Sequence, residues 1–334
     1  MTKRTILIIG AGASNALHPQ FALGGGLLQQ ISDRVTDRTS IHHPYLSNLL
    51  KKVGFDYSIC WDFVSRLDEY SRTTEFPSID GFLDEVSTYP ELGTVKDRFV
   101  QIGKFSIMFH VLGYEAELKN PNTGGLKDDA WLHEVAKFID EKNLLDKTVP
   151  NDHDLKIITF NYDRNIEHFL YNHTRFENRK NEIKLFIDDS LVHIYGKIGN
   201  LEWQDPNDFF EFGEDNAKAD KIFHQKNAIG IMYLERMGNN LALTNKCGGW
   251  IHTHETAQVC TFGFNFDLIN YRLLSLQNLG IADEAKFIAN IYPYNDNEFK
   301  NRRLMANRIR NIKHDAELTY LSCTEFLKQV LNFA

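Results

Sequence analysis

The sequence predicts an α/β protein: a doubly wound parallel sheet of about six strands, with a helical insertion subdomain after the first strand. Three observations lead there. Apolar, β-branched runs recur at 5–9, 155–160, 190–195, 257–263, 286–292 and 317–322, and helical patterns separate most of them. Such alternation of strand and helix is the signature of a parallel sheet. Residues 32–150 carry no strong strand pattern and show helical spacing instead. Finally, four of the runs end in glycine-rich or polar tips, and in open parallel sheets ligands bind just beyond the carboxyl ends of the strands.

The elements follow in order. Ile6-Leu7-Ile8-Ile9 reads as a buried strand, and Gly10-Ala11-Gly12-Ala13-Ser14 as the turn that leads from it into a helix. A second glycine run, Leu23-Gly24-Gly25-Gly26, precedes a helix expected over Leu27–Ile31. Helical spacing then recurs in Tyr45, Leu46, Leu49, Leu50 and Val53, in Phe99, Ile102, Phe105, Met108, Phe109 and Leu112, and in Trp131, Leu132, Val135, Phe138 and Ile139. Ser78 is placed to cap the helix that starts at Ile79. The expected division is a sheet domain made of 1–31 and 151–334, with a helical subdomain over 32–150. The polar stretch 200–225 reads as an irregular loop, and His252 and His254 as straddling a helix.

Composition narrows the function classes. The chain has 334 residues, 43% of them hydrophobic and 12% aromatic, enough for a large core. A net charge of −8 argues against a protein built mainly to hold nucleic acid. The basic cluster from Lys300 to Arg310 reads either as a solvated helix face or as a contact for an acidic partner. Four cysteines (Cys60, Cys247, Cys260 and Cys323) stand far apart with no Cys-x-x-Cys pair, which excludes a zinc ribbon and disfavours a disulfide framework. Cys260, within a strand, reads as a small apolar residue. No metal site is expected. The apolar segment near the N-terminus is too short for a signal peptide, and no run of about 18 apolar residues suggests a membrane span. The expected location is cytoplasmic.

Each strand tip admits a functional and a structural reading. Gly10, Ala11 and Gly12 let a backbone approach a phosphate or ribose, or simply make a tight strand–helix turn. Asn15 stands where a dinucleotide fingerprint has its third glycine, and no Gly-Lys-Ser/Thr is present, so a P-loop is excluded. In Thr159-Phe160-Asn161-Tyr162-Asp163, the polar pair Asn161 and Asp163 leaves a buried strand, which is costly unless both are bonded. They either cap the following helix or meet a ligand. His193 is either a satisfied core histidine or a proton acceptor at a strand end. Gly263 and Asn265, in Gly263-Phe264-Asn265-Phe266-Asp267, either serve a turn or touch a nucleotide.

Taken together the motifs resemble the sirtuin-like family. The resemblance rests on Gly10 to Ser14 after the first strand, Asn161 to Asp163 after a middle strand, His193, and Gly263 to Asn265. Leu23-Gly24 with Leu27-Leu28, and Ser78-Ile79-Asp80-x-Phe82-Leu83, look like the divergent bacterial branch that acts in anti-phage defence. The chain departs from the protein deacylases of the family. It lacks their four zinc cysteines and their Gly-x-Pro-x-x-Arg stretch, and it has Asn265 where they have Ser and Ile194 after His193.

The resemblance implies a Rossmann-like fold and an NAD+ glycohydrolase that releases nicotinamide and ADP-ribose through an oxocarbenium-like state. It implies that Asn161 positions the ribose or the attacking water. His193 would act as general base or hold the ribose hydroxyls, and Asp163 would bond the nicotinamide carboxamide. Gly10, Ala11, Gly12 and Ser14 would receive the pyrophosphate, with Gly263 and Asn265 near the adenosine ribose. NAD+ is the substrate, and no metal is needed. Uncontrolled NAD+ loss would kill the host, so control is expected by homo-oligomerisation or by a separate subunit, for which a HerA-type ATPase and a short Argonaute-type complex are the family precedents. No direct nucleic-acid binding and no membrane are expected. The competing readings are an NAD-dependent protein deacylase and a non-catalytic NAD or ADP-ribose binding module that assembles a complex.

Overall fold

The computed structural model describes residues 3–19, 21–22, 24–36, 46–74, 77–89, 92–127, 130–146, 153–214, 240–264, 270, 274, 284–291 and 298–332. Six strands form one all-parallel sheet: β1 (Lys3–Ile9), β2 (His153–Thr159), β3 (Leu191–His193), β4 (Thr256–Phe262), β5 (Lys286–Asn290) and β6 (Glu317–Thr319). Their order is β3-β2-β1-β4-β5-β6, the Rossmann-like arrangement. The last five residues of β1, β2 and β4 are buried, because a parallel sheet covered on both faces reads as a continuous apolar run.

Register carries the functional consequence. Ile9 pairs with both Thr159 and Phe262, and Thr159 pairs with His193. The ends of β1, β2, β3 and β4 therefore lie in one row. After β1 the chain turns first to β2 and β3 on one side, and then crosses to β4 on the other. That reversal beside β1 is the switch point at which a crevice opens in a doubly wound sheet.

Between β1 and β2 come seven helices among the described residues: α1 (Ala11–Leu17), α2 (Gly24–Thr36), α3 (Leu46–Lys52), α4 (Tyr57–Thr73), α5 (Ile79–Thr88), α6 (Val95–Leu118) and α7 (Ala130–Glu141). Helices α2 to α6 pack on one another, and α2 and α6 each touch all the others. The buried residues of α6 run almost without a break from Phe105 to Leu112, so this helix is apolar all round rather than amphipathic. The cap at Ser78 is as the sequence predicts, and Asp56 caps α4 in the same way. Ser78 Oγ accepts the Gly81 N–H at 3.1 Å, and Asp56 Oδ1 accepts the Ile59 N–H at 3.0 Å.

Two details differ from expectation. The glycine run does not precede α2 but forms its first turn, because the stripe Leu27, Leu28, Ile31 and Val35 buries against α3 to α6 and draws the helix start back to Gly24. Helix α7 packs on the sheet's flank rather than within the helical cluster. The Trp131 indole donates to Ala13 O at 3.0 Å and stands edge-on to Phe262, with centroids 5.3 Å apart. It acts as the crossover that returns the chain to β2.

The second half adds α8 (Asn165–Asn172), α9 (Lys180–Ser190), α10 (Asn240–Ile251), α11 (Glu298–Ile312) and α12 (Cys323–Asn332). Of the polar segment 200–225, residues 200–214 are turns and irregular backbone as expected, and 215–225 lie outside the described residues. Helix α10 ends at Ile251, so His252 and His254 lie in the turn before β4 rather than across a helix. All four cysteines are free and buried. Burial pushes the thiols of Cys60 up to about 11 and of Cys247 and Cys323 up to about 12, which leaves them protonated and unreactive. No helix among the described residues is long and apolar enough to cross a membrane.

A buried ion pair joins α6 to the start of α8, just beyond β2. Arg164 and Glu115 are both fully buried, and Arg164 Nη2 meets Glu115 Oε2 at 2.6 Å. Every guanidinium donor is used. Nε donates to Glu115 Oε1 at 3.2 Å, Nη1 to the carbonyls of Asn200 and Phe210 at 3.1 and 2.8 Å, and Nη2 also to Glu211 O at 3.1 Å. The Arg164 main-chain N–H donates to Glu115 Oε1 as well, at 2.8 Å. Removing one partner strands a buried charge. Glu115→Ala is expected to lower the unfolding free energy by about 3–5 kcal/mol, measured as a fall in the urea midpoint. A loss below roughly 1 kcal/mol, the size of a surface pair, would show that the hub is dispensable.

Candidate functional site

The row of strand ends bounds a small cleft with a cavity volume of about 90 Å³. Its floor is Ala11 and Ser14 from α1 and Phe160 to Asp163 beyond β2. Its roof is Phe21, Ala22 and Leu27, Ile79 and Asp80 of α5, and Val111 and Tyr114 of α6. The Tyr162 hydroxyl donates to Asp80, which ties roof to floor. Roomier hollows of about 380 Å³ beside α3 and α4, and about 470 Å³ at the opposite end of the sheet, are lined by none of the described residues whose buried polar atoms lack a partner. The strand-end cleft is lined by one of them, Asn161.

The two glycine tips make this geometry possible. A Cβ on Gly10 would stand 2.4 Å from Gly263 O. One on Gly263, which has φ +59°, would stand 2.1 Å from Ala13 N. The turns after β1 and β4 thus touch backbone to backbone, which only glycine permits. The same closeness uses up donors. Gly12 N–H donates to Gly263 O at 2.9 Å, Gly10 N–H to Phe262 O at 3.2 Å, and Ala13 N–H to Gly10 O at 2.9 Å. Gly10, Gly12 and Gly263 therefore shape the cleft, while Ala11 and Ser14 face it. Asn265 lies outside the described residues.

Asn161, Ser14 and Asp163 form one hydrogen-bond chain. Asn161 Nδ2 donates to Ser14 Oγ at 2.8 Å, and Ser14 Oγ donates to Asp163 Oδ2 at 2.7 Å. Asp163 Oδ1 accepts the Asn165 N–H, the first of α8, at 3.3 Å, and the residue also lines the cleft. Of the two readings of Asp163 that the sequence left open, the bond to the start of α8 is present, and the second oxygen accepts from Ser14. Burial pushes the Asp163 carboxyl up from 3.8 to about 6, with Glu115 adding to the rise and the bonds from Ser14 and Asn165 holding it back. Asn161 Oδ1 is buried with no partner.

His193 is near these residues but does not line the cleft among the described residues. Its Nδ1 lies 2.8 Å from the Asn161 carbonyl oxygen, and its Nε2 lies 3.1 Å from Glu167 Oε1. Lys197 Nζ reaches the same carboxylate at 3.4 Å. Burial alone would raise the Glu167 carboxyl, but His193 and Lys197 outweigh it and bring it down to about 2. Glu167 escaped the sequence reading because it looks like an ordinary helix residue. Its one signal is position, as a carboxylate in the first turn of the helix after Asn161 and Asp163. Tyr195 is buried against Phe160 and Tyr162, and its hydroxyl donates to Asn270.

No protein-family model matches the chain, and no curated protein matches it in sequence. The site therefore stands on its own chemistry: an immobilised amide with one unsatisfied oxygen, beside a serine and a carboxylate of raised affinity for protons.

The raised value of Asp163 has a defined consequence for stability. A carboxyl that binds its proton more tightly folded than unfolded contributes stability that declines as pH rises through the window from about 4 to 6. Glu167, held down to about 2, works the other way, and its contribution is lost only as pH falls below about 4.5. Asp163→Asn is expected to gain on the wild type between pH 4 and 7 in paired urea titrations. A difference that stays flat across this range would show that Asp163 ionises normally.

Proposed function

We propose that this chain is an NAD+ glycohydrolase. The observation that carries the reading is the orphaned Asn161 Oδ1, on a residue that lines the strand-end cleft and whose amide nitrogen donates to Ser14, which in turn donates to Asp163. Buried polar atoms are nearly always bonded, so an unsatisfied acceptor in a cleft calls for a donor from outside the chain. A water or a ribose hydroxyl supplies one. The resemblance of the strand tips to the sirtuin-like family points to the same chemistry.

In this reading the C1′–N bond of the nicotinamide riboside breaks, and its electron pair neutralises the pyridinium as nicotinamide leaves. Because the leaving group is neutral, no strong general acid is needed. Asn161 Oδ1 orients the water that adds to C1′ of the oxocarbenium-like ribose, and Asp163 stabilises the developing cation while ionised. The products are nicotinamide, ADP-ribose and a proton. The dinucleotide needs more room than about 90 Å³, since ligand sites span roughly 300–1,000 Å³. Its entry therefore requires the roof of Phe21, Ala22 and Ile79 to part from the floor. NAD+ depletion of this kind suits an abortive-infection effector in anti-phage defence, controlled as a homo-oligomer or by a partner subunit of the HerA-type ATPase or Argonaute type.

The test is direct. Purified protein is incubated with NAD+, alone and with neighbour-encoded proteins, and nicotinamide and ADP-ribose are quantified. The wild type is expected to release both, and Asn161→Ala to release them at least roughly 100-fold more slowly with an unchanged melting temperature. Cleavage should fall about tenfold per pH unit below pH 6 as Asp163 takes up a proton. Unaltered cleavage by Asn161→Ala would overturn the mechanism, and NAD+ that binds but stays intact would favour an assembly module.

A further inference from the structure

Asn161 is held by its main chain as firmly as by its side chain. Its N–H donates to Thr159 Oγ1 at 3.1 Å, and its carbonyl accepts from His193 Nδ1 at 2.8 Å. With Nδ2 bonded to Ser14, Oδ1 is the side-chain atom left without a partner. The grip on the carbonyl comes from β3, because Thr159 pairs with His193 across the sheet and the ring reaches two residues past that pairing. The ring is itself gripped from α8. Glu167 Oε1 stands 3.1 Å from Nε2, and the two side chains are 1% and 8% exposed. Lys197 braces the same carboxylate at 3.4 Å and donates to Gln204 Oε1 at 2.7 Å.

A carbonyl oxygen only accepts, so His193 Nδ1 carries a proton and donates it. Nε2 faces a carboxylate, and neither nitrogen offers a lone pair to the cleft. A general base needs such a lone pair within reach of the proton it removes. We infer that Glu167 and His193 are a pair of positioning residues, which orient Asn161 through its backbone carbonyl instead of moving a proton. This inference rests on the hydrolase reading above. It adds Glu167 to the machinery and changes the work assigned to His193, and it places the reaction's precision in a three-part staple of α8, β3 and the exit of β2. Misplacing a reacting group by about 1 Å costs on the order of 100-fold in rate, so the staple has a kinetic signature separate from folding.

The experiment compares steady-state NAD+ cleavage by the full chain and four variants. His193→Ala and Glu167→Ala are expected to lower kcat about 100-fold with KM within about twofold, since orientation rather than binding is lost. His193→Asn puts an amide N–H where Nδ1–H stands, and Glu167→Gln keeps an oxygen beside Nε2. Both are expected to stay within about tenfold of wild-type kcat, a rescue that loss of a general base, worth roughly 10²–10⁴-fold, does not allow. Nitrogen-15 spectra of histidine-labelled protein give a readout that needs no turnover: Nδ1 of His193 should bear a slowly exchanging proton. An active wild type with His193→Asn as dead as His193→Ala, or an Nδ1 without its proton, overturns the inference. A wild type that releases no nicotinamide under any condition overturns the hydrolase reading and the positioning role with it, so the two failures are told apart by the wild type alone.

Discussion

The buried pair of Arg164 and Glu115 is the constraint from which the candidate site is built. Two charges without solvent are costly, and they persist here because all the guanidinium donors are matched. The matching draws three distant stretches together: α6, the start of α8, and the turns from Asn200 to Glu211. Arg164 directly follows Asp163, so fixing the guanidinium also fixes the carboxylate that accepts from Ser14 and from the Asn165 N–H. Glu115 acts on Asp163 electrostatically as well, helping to keep its proton affinity high. A single pair thereby sets both the place and the chemistry of the cleft's acid.

Around that hub the sheet supplies alignment and the glycines supply proximity. Parallel register brings the ends of β1, β2, β3 and β4 into one row, and a shift in any strand would separate Ser14, Asn161 and His193. Backbone contact between Gly10 and Gly263 then narrows the crevice beside β1. The glycines that look like a phosphate cradle are engaged by each other's backbones, with Gly12 N–H already donating to Gly263 O. Their contribution is steric, and it brings the polar side chains on neighbouring tips within hydrogen-bond reach. The result is a cleft among whose lining residues Asn161 Oδ1 is a buried oxygen without a partner, with Glu167 Oε2 and the Asn165 amide also unpartnered behind it. Such an orphan costs about 1–3 kcal/mol, a debt that a bound ligand or water removes.

Much of this was legible in the sequence. The runs Ile6 to Ile9 and Val259 to Phe262 are continuous and β-branched because their strands are covered on both faces. The cap at Ser78 and the helical spacing of Phe99 to Leu112 were readable because both rules act over a few residues. The pairing of Asn161 with Ser14 was foreshadowed by their positions at two strand ends. The ion pair of Glu115 with Arg164 was not, for 49 residues separate its partners and neither stands out in a polar helix-and-turn context. The grip of Glu167 on His193 was hidden for the same reason, as was the departure of α7 from the helical cluster, which depends on Trp131 finding Ala13 and Phe262.

The sequence by itself determined the class of fold, the strand ends as the place of interest, and the residue types gathered there. Those follow from local chemistry: β-branched runs favour strands, glycine permits close turns, and polar residues at the exit of a buried strand need partners. Only the tertiary structure decided what each residue does. It placed His193 behind Asn161 rather than in the cleft lining, turned one Asp163 oxygen to the first N–H of α8 and the other to Ser14, and left Asn161 Oδ1 buried without a partner. Hydrogen-bond direction, burial and proton affinity are properties of the assembled surroundings, and no local pattern along a chain contains them.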